Sequence, residues 1–96
     1  MINIAQIGVG YWGPNLLRNI VRNNQSTMKR VVELSSERQK FVKDLYPDID
    51  VSDNIESIFT DPSIDAVIIS TPVTTHFDLT IQALNMGKHV LVEKPM

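Results

Sequence analysis

The fold follows from the stretch Ile2-Asn3-Ile4-Ala5-Gln6-Ile7-Gly8-Val9-Gly10-Tyr11-Trp12-Gly13-Pro14. Residues 2–9 are nearly all apolar and rich in Ile and Val, which predicts a central strand covered on both faces. Pro14 suits the first turn of a helix, where its missing N–H costs nothing. Four apolar residues then fall on one helical face: Leu16, Leu17, Ile20 and Val21. The stretch therefore predicts a strand, a glycine-rich loop and a helix in succession.

Apolar runs alternate with helix-period segments through the rest of the chain. Further strands are predicted at residues 29–35, 49–51, 66–70 and 89–93. Five strands alternating with four helices predict an α/β fold. Parallel crossovers are right-handed, and the glycine loop marks the point in the sheet where the connections run in opposite directions. The expected architecture is a doubly wound parallel sheet in the order 3-2-1-4-5, and residues 1–96 form one domain.

Helix starts are predicted from capping boxes, in which a short polar residue precedes an acid or amide by three positions. Such pairs occur at Ser36 and Gln39 and at Asp53 and Glu56. A similar pair, Thr75 and Asp78, precedes the last helix. The apolar faces expected on these helices comprise Phe41, Val42 and Leu45; Ile55, Ile58 and Phe59; and Phe77, Ile81 and Leu84. Gly87 is well placed to end the last helix.

Composition narrows the class of protein. The chain has 96 residues, 43% hydrophobic and 21% charged, with a net charge of -2 and no cysteine. A chain this short builds a single core. The charge gives no reason to expect nucleic acid or a membrane as partner, and thiolate metal sites are excluded. No metal site is predicted, and the absence of cysteine allows an intracellular address. Residues 2–5 lack the basic and long apolar segments of a secretory signal and are predicted to begin a strand.

The glycine loop predicts a dinucleotide site. Gly8 permits the tight turn, Gly10 lets the backbone approach a pyrophosphate, and Gly13 allows close packing of helix and strand. Glu33 follows Gly13 by twenty positions, at the end of the second strand, as the acidic partner of such loops does. A pyrophosphate would then lie at the helix N-terminus, and Glu33 would accept hydrogen bonds from the adenosine ribose.

The charge of Glu33 predicts NAD as the cofactor rather than NADP, because a carboxylate repels a 2′-phosphate. Arg38 and Ser35 are near enough in sequence to soften that preference. The alternative for Glu33 is a solvated carboxylate at a strand end. Tyr11 and Trp12 lie in the loop that a dinucleotide crosses, and they either line the cofactor or cover the core.

Two later segments reach the same edge of the predicted sheet. Thr71, Pro72 and His76 follow the fourth strand, where His76 can donate or accept toward a ligand. The last strand runs through Gly87-Lys88-His89-Val90-Leu91-Val92-Glu93-Lys94-Pro95. Together with the glycine loop, these segments resemble the Gfo/Idh/MocA family of oxidoreductases over the whole 96 residues.

The resemblance implies NAD(P)-dependent oxidation or reduction of a sugar or related polyol. A cytoplasmic location is expected. Thr71, Pro72, His76 and Glu93 would contact the cofactor, and Lys94 would lie beside both nicotinamide and substrate as the catalytic residue. The Gly-Tyr-Trp-Gly-Pro-Asn form of the first loop is most similar to dehydrogenases of UDP-linked amino sugars and their uronic acids. Family members continue with a sixth strand and a substrate-binding domain that this chain lacks.

Two expectations follow from the absence of that domain. The 96-residue chain should bind NAD(H) without efficient turnover, and its last strand should promote self-association through an unpaired edge. A non-catalytic NAD(H) sensor is the main alternative, although a sensor has no need of Lys94. An S-adenosylmethionine methyltransferase also combines a glycine loop with an acidic strand end, but the glycine spacing fits it less well.

Overall fold

A computed structural model describes residues 2–9, 13–23, 25–71 and 76–92, apart from the side chains of residues 13–16, 76–77 and 92. Strands and helices alternate along the chain. The strands are β1 Ile2–Ile7, β2 Ser26–Val32, β3 Asp50–Ser52, β4 Ala66–Ile69 and β5 His89–Val92. The helices are α1 Gly13–Arg22, α2 Ser36–Leu45, α3 Glu56–Phe59 and α4 His76–Asn85.

The five strands form one sheet in the order β3-β2-β1-β4-β5, and every neighbouring pair is parallel. The predicted order and fold class are therefore confirmed. β1 lies in the centre, with β2 on one side and β4 on the other. The connections diverge between β1 and β4, so the loops that follow these two strands enclose the position where α/β sheets bind ligands.

Each face of the sheet carries its own apolar cluster, because neighbouring strand residues point to opposite sides. Ile4, Val31 and Ile68 pack with Leu17 of α1 and Val42 of α2. The other cluster contains Ala5 and Ile7 of β1 together with helix side chains. These are Ile58 and Phe59 of α3 and Leu79 and Ala83 of α4. Helices α1 and α2 thus cover one face, and α3 and α4 cover the other.

Two predicted helix faces are wrong in detail. On α2, Val42 is buried, but Phe41 is 43% and Leu45 54% exposed. β3 is a three-residue edge strand, so α2 has only a narrow strip of sheet to cover. On α4 the buried stripe is Leu79 and Ala83, and Ile81 and Leu84 are exposed. At about 100° per residue, a side chain two positions from Leu79 points away from the sheet.

The capping residues are also displaced from their predicted positions. Ser35, one residue before Ser36, is the N-cap of α2, and its hydroxyl accepts from the Arg38 N–H at 3.4 Å. At α3, Asn54 takes the place expected for Asp53, since its side-chain oxygen accepts from the Glu56 N–H at 3.1 Å. Ser35 lies one position before the predicted cap residue of α2, and Asn54 lies one position after the predicted cap residue of α3. Thr75 lies outside the described residues.

β2 begins three residues earlier than predicted, because Ser26, Thr27 and Met28 already pair with the start of β1. The register between β1 and β2 shifts after Met28, leaving Lys29 as the extra residue of a bulge. Successive strand residues normally point to opposite faces, and a bulge redirects one of them. Lys29 and Arg30 accordingly both reach the Asp61 carboxylate, at 3.4 and 3.0 Å.

Asp61 is the centre of a polar cluster with Lys29, Arg30 and Ser63 at the amino edge of the sheet. Its Oδ1 accepts from the Ser63 hydroxyl at 2.6 Å and the Ser63 N–H at 2.9 Å. Together with Arg30 and Lys29, these bonds hold the pKa of the Asp61 carboxyl well below its usual range, although burial opposes the shift. The cluster therefore ties the start of β2 to the loop between α3 and β4.

Acid should weaken the fold through Asp61. A carboxyl whose pKa is lower in the folded state stabilises fully above its unfolded pKa of about 3.9, and the stabilisation is lost as pH falls further. We expect Asp61→Asn to lower the free energy of unfolding by about 2 kcal/mol at pH 7. The gap from wild type should narrow below pH 4 in urea titrations. Asp48→Asn, at an exposed carboxylate, is the control; an Asp61→Asn deficit that stays constant with pH would contradict the assignment.

Candidate functional site

Gly8 lies where the loops after β1 and β4 meet. Its φ is +86°, in the left-handed region that favours glycine. A Cβ at this position would lie 2.7 Å from the Ser70 carbonyl oxygen and 2.9 Å from Cγ2 of Thr71. The Gly8 N–H donates to the Val32 carbonyl at 2.7 Å, and the Ser70 N–H donates to the Ile7 carbonyl at 2.8 Å. The turn is thus held between two strands with no space for a side chain.

Glu33 lies directly after β2, beside this turn. Its side chain is buried, with 8% of the residue exposed. One carboxylate oxygen accepts from the Val9 N–H and the other from the Ser35 N–H, both at 2.8 Å. Glu33 is therefore not a solvated strand-end carboxylate, and that alternative is wrong. Each oxygen retains a second lone pair that can accept from a ligand hydroxyl.

The N-terminus of α2 adjoins the same carboxylate. Gln39 donates from its side chain to the Glu33 carbonyl at 2.6 Å, which fixes the backbone at the end of β2. Arg38 is exposed on the first turn of α2, close in sequence to Ser35. Leu34, between the acid and the helix cap, is 83% exposed. An acidic, a basic and an apolar group therefore lie together at the carboxyl end of β2.

The structure describes some of the predicted site residues and not others. Gly8, Glu33, Arg38 and Thr71 are described in full, and for Gly13 and His76 the backbone alone is described, at the first residues of α1 and α4. The remaining predicted residues lie outside the described part of the chain: Gly10, Tyr11, Trp12, Pro72, Glu93 and Lys94. Gly8, Glu33 and Thr71 all lie at the carboxyl edge of the sheet.

The sequence analysis missed two buried polar side chains. Gln6 is fully buried in β1, and its amide donates to the Gly8 carbonyl at 3.0 Å. Lys88 is 5% exposed, and its amine donates to the carbonyls of Asp61 at 2.8 Å and Ile64 at 2.9 Å. The available signal for Gln6 was a polar residue between Ala5 and Ile7 in a largely apolar strand. Lys88 carried no signal, because its partners lie more than twenty residues away.

Metal and membrane features are absent from the parts of the chain that can be described. No group of three or more His, Asp or Glu side chains in residues 2–9, 13–23, 25–71 and 76–92 could hold a metal ion. Within the same ranges, no helix has the length and apolar character needed to cross a bilayer.

A parallel 3-2-1-4-5 sheet with a side-chain-free turn after β1 and an acid after β2 defines a dinucleotide-binding Rossmann domain. A family profile described as an oxidoreductase family with an NAD-binding Rossmann fold matches residues 2–96. The chain belongs to this family, Gfo/Idh/MocA, and the predicted family is confirmed.

Relatives with known names are longer than this chain. It is 35% identical to the uncharacterized oxidoreductase YdgJ of Escherichia coli over 98% of its own length and 27% of YdgJ. The NADP+-dependent scyllo-inositol 2-dehydrogenase IolW of Bacillus subtilis is 37% identical over 70% of the chain and 19% of that enzyme. An NAD+-dependent scyllo-inositol 2-dehydrogenase of the same organism is 49% identical over 47% of the chain and 13% of the enzyme.

Solved structures share the fold. The oxidoreductase yvaA of Bacillus subtilis superposes with a TM-score of 0.89 at 31% identity, covering 100% of this chain and 28% of that one. The chain thus spans about a quarter of the length of the proteins it matches. Its relatives include both NAD+- and NADP+-dependent enzymes, and their names leave the choice of cofactor open. The names given above include no UDP-amino-sugar dehydrogenase.

Proposed function

We propose that the chain binds NAD(H) across the carboxyl edge of its sheet and serves as the cofactor half of a polyol or sugar dehydrogenase. The observation that carries the proposal is the buried Glu33 carboxylate, bonded at 2.8 Å to the Val9 N–H of the glycine turn. The adenosine ribose would donate to the free lone pairs of Glu33. The pyrophosphate would lie over Gly8, Gly10 and Gly13 at the start of α1.

The crowding at Gly8 supports this fit. A Cβ at Gly8 would meet the Ser70 carbonyl oxygen at 2.7 Å, so glycine allows the tight turn that brings the loops after β1 and β4 together beside Glu33. Leu34, exposed beside Glu33, offers an apolar surface that an adenine ring would cover. Tyr11, Trp12, Thr71, Pro72 and His76 complete the proposed contacts along the nicotinamide half of the cofactor.

NAD is proposed over NADP because both oxygens of Glu33 are held by backbone N–H groups, which keep the carboxylate next to the ribose. A 2′-phosphate there would meet a fixed negative charge. Calorimetric titration with NADH and NADPH tests the choice. We expect NADH to bind about tenfold or more tightly, corresponding to at least about 1.4 kcal/mol. Equal affinities, or tighter NADPH, would show that Arg38 and Ser35 decide the preference instead.

Catalysis is assigned to Lys94, with Glu93 beside the cofactor. The bound nicotinamide supplies hydride transfer, and Lys94 would hydrogen-bond the reacting oxygen and take part in proton transfer. The substrate is proposed to be a cyclic polyol or sugar, since named relatives act on scyllo-inositol. A UDP-linked amino sugar remains the finer proposal from the form of the first loop. The intracellular location expected from the sequence is likewise a proposal.

The 96-residue chain should bind NADH but turn over slowly, because a separate substrate domain would have to complete the site. Fluorescence titration of NADH, combined with assays on scyllo-inositol and candidate sugars, tests both parts. A non-catalytic NAD(H) sensor would bind the cofactor equally well. Lys94→Met in the full-length protein separates the two classes: activity is lost in a dehydrogenase, whereas a sensor has none to lose. Rapid turnover by the 96-residue chain would contradict the proposal that a separate substrate domain is needed to complete the site.

Self-association is proposed through β5. Among the described residues β5 pairs only with β4, and Leu91 on β5 is 54% exposed. A strand edge with an apolar side chain is a template for another chain, and a lysine there blocks pairing. We expect Leu91→Lys to convert oligomers to monomers in sedimentation velocity at high concentration. Leu45→Lys, at an equally exposed position on α2, should leave the association unchanged; a monomeric wild type would refute the proposal.

A further inference from the structure

One peptide unit at the start of the glycine turn is held from both sides. The Gly8 carbonyl accepts from Nε2 of Gln6 at 3.0 Å, and the Val9 N–H donates to Oε1 of Glu33 at 2.8 Å. These two groups belong to the same planar peptide, in which C=O and N–H point in opposite directions. Gln6 and Glu33 therefore hold one rigid plane between them.

Both contacts are shielded from water. Gln6 is fully buried, Glu33 is 8% exposed and Val9 is 2% exposed. Hydrogen bonds in such surroundings are stronger than exposed ones, and breaking either leaves a buried polar group. The Gly8–Val9 peptide is consequently restricted to one orientation before any ligand is present.

Gln6 is an unusual residue for its position. Its neighbours in register are Val31 on β2 and Ile68 on β4, which belong to the apolar cluster beneath α1 and α2. An aliphatic side chain would bury more hydrocarbon here and need no hydrogen bond. The amide is therefore explained by its contact with the Gly8 carbonyl better than by packing.

We propose that Gln6 is a positioning residue for the cofactor, acting with Glu33 to fix the Gly8–Val9 peptide for pyrophosphate binding. The proposal rests on the proposed NAD(H) function. The orientation of this peptide sets the direction in which the chain enters the rest of the glycine loop. Fixing it in advance removes part of the ordering that binding would otherwise require.

Gln6→Met tests the proposal, because methionine keeps the length of the side chain but cannot donate. We expect the Kd for NADH to rise about tenfold in calorimetry, at a temperature where wild type and variant are folded. Ile58→Val, in the cluster on the other face of the sheet, is the control: it should lower Tm and leave Kd unchanged. If wild type binds NADH and Gln6→Met binds it with the same Kd, the proposed role of Gln6 is overturned. A wild type that fails to bind NADH would overturn the proposed function as well.

Amide exchange provides a readout without cofactor. In wild type the Val9 N–H should exchange as slowly as the Gly8 N–H, which donates to Val32 within the sheet at 2.7 Å. Gln6→Met should accelerate exchange at Val9 several-fold more than at Gly8, whereas general destabilisation would accelerate both equally. Should the variant fail to fold, wild type alone decides: a Val9 amide that exchanges like an exposed loop amide would overturn the proposal.

Discussion

Replacing Gly8 by alanine should have the largest effect of any single substitution in the described part of this chain. The added Cβ would lie 2.7 Å from the Ser70 carbonyl oxygen, which is backbone and cannot rotate away. The residue would also keep a φ of +86°. The left-handed conformation costs about 1–2 kcal/mol for a non-glycine residue, and overpacking adds about 1–3 kcal/mol. We expect Tm to fall by about 15 °C and NADH binding to become undetectable.

Gly87 provides a matched control for this substitution. It also has a positive φ, +75°, but a Cβ there would meet no atom within 4 Å. Gly87→Ala should therefore lower the free energy of unfolding only by the cost of the left-handed conformation, about 1 kcal/mol, and bind NADH normally. The difference between the two variants in urea titrations isolates the crowding at Gly8. Equal losses of stability would show that Ser70 and Thr71 move aside and that the turn is not as tightly enclosed as described.

Glu33→Gln should have the second largest effect, on both the fold and the cofactor. The two carboxylate oxygens accept from the Val9 and Ser35 N–H groups at 2.8 Å. Glutamine has one oxygen, so its NH2 group must face one of these donors. We expect unfolding to become easier by about 1.5–3 kcal/mol, and the Kd for NADH to rise on the order of tenfold to a hundredfold. Discrimination against NADPH should shrink as the negative charge is removed.

Glu37→Gln is the control for that variant. Glu37 is exposed in the first turn of α2, four residues beyond Glu33, and the same chemical change there removes a charge without a buried partner. Its effect on stability should stay below about 1 kcal/mol, and both dinucleotides should bind as in wild type. If Glu37→Gln weakened NADH binding as much as Glu33→Gln, the effect would come from general electrostatics and not from a ribose contact.

The order of the strands and the positions of Gly8 and Glu33 were predictable because local sequence determines them. An apolar strand followed by glycines at fixed spacing specifies a turn, and the acid after the next strand must lie beside it once the two strands are parallel neighbours. The family was predictable for the same reason, since its motifs occur in order along the chain. These features depend on spacing and on the handedness of crossovers, which a sequence records directly.

Features that depend on tertiary partners were not predictable. Periodicity predicted Phe77, Ile81 and Leu84 as the apolar face of α4, whereas Ile81 and Leu84 are exposed and the buried residues are Leu79 and Ala83. The bulge at Lys29 needs the Asp61 carboxylate to receive two successive basic residues. The sequence marked Gln6 only as a polar residue in a largely apolar strand, and its importance depends on the Gly8 carbonyl to which it donates.

Titration of the chain with NADH, followed by amide chemical shifts, tests the central claim that the dinucleotide binds at the carboxyl edge beside Glu33. The account predicts that the largest shifts occur at Gly8, Val9 and Glu33, which surround the glycine turn. Amides at the amino edge, such as Ser63 and Lys88, should stay in place. Shifts centred on the amino edge, or none at saturating NADH, would contradict the account.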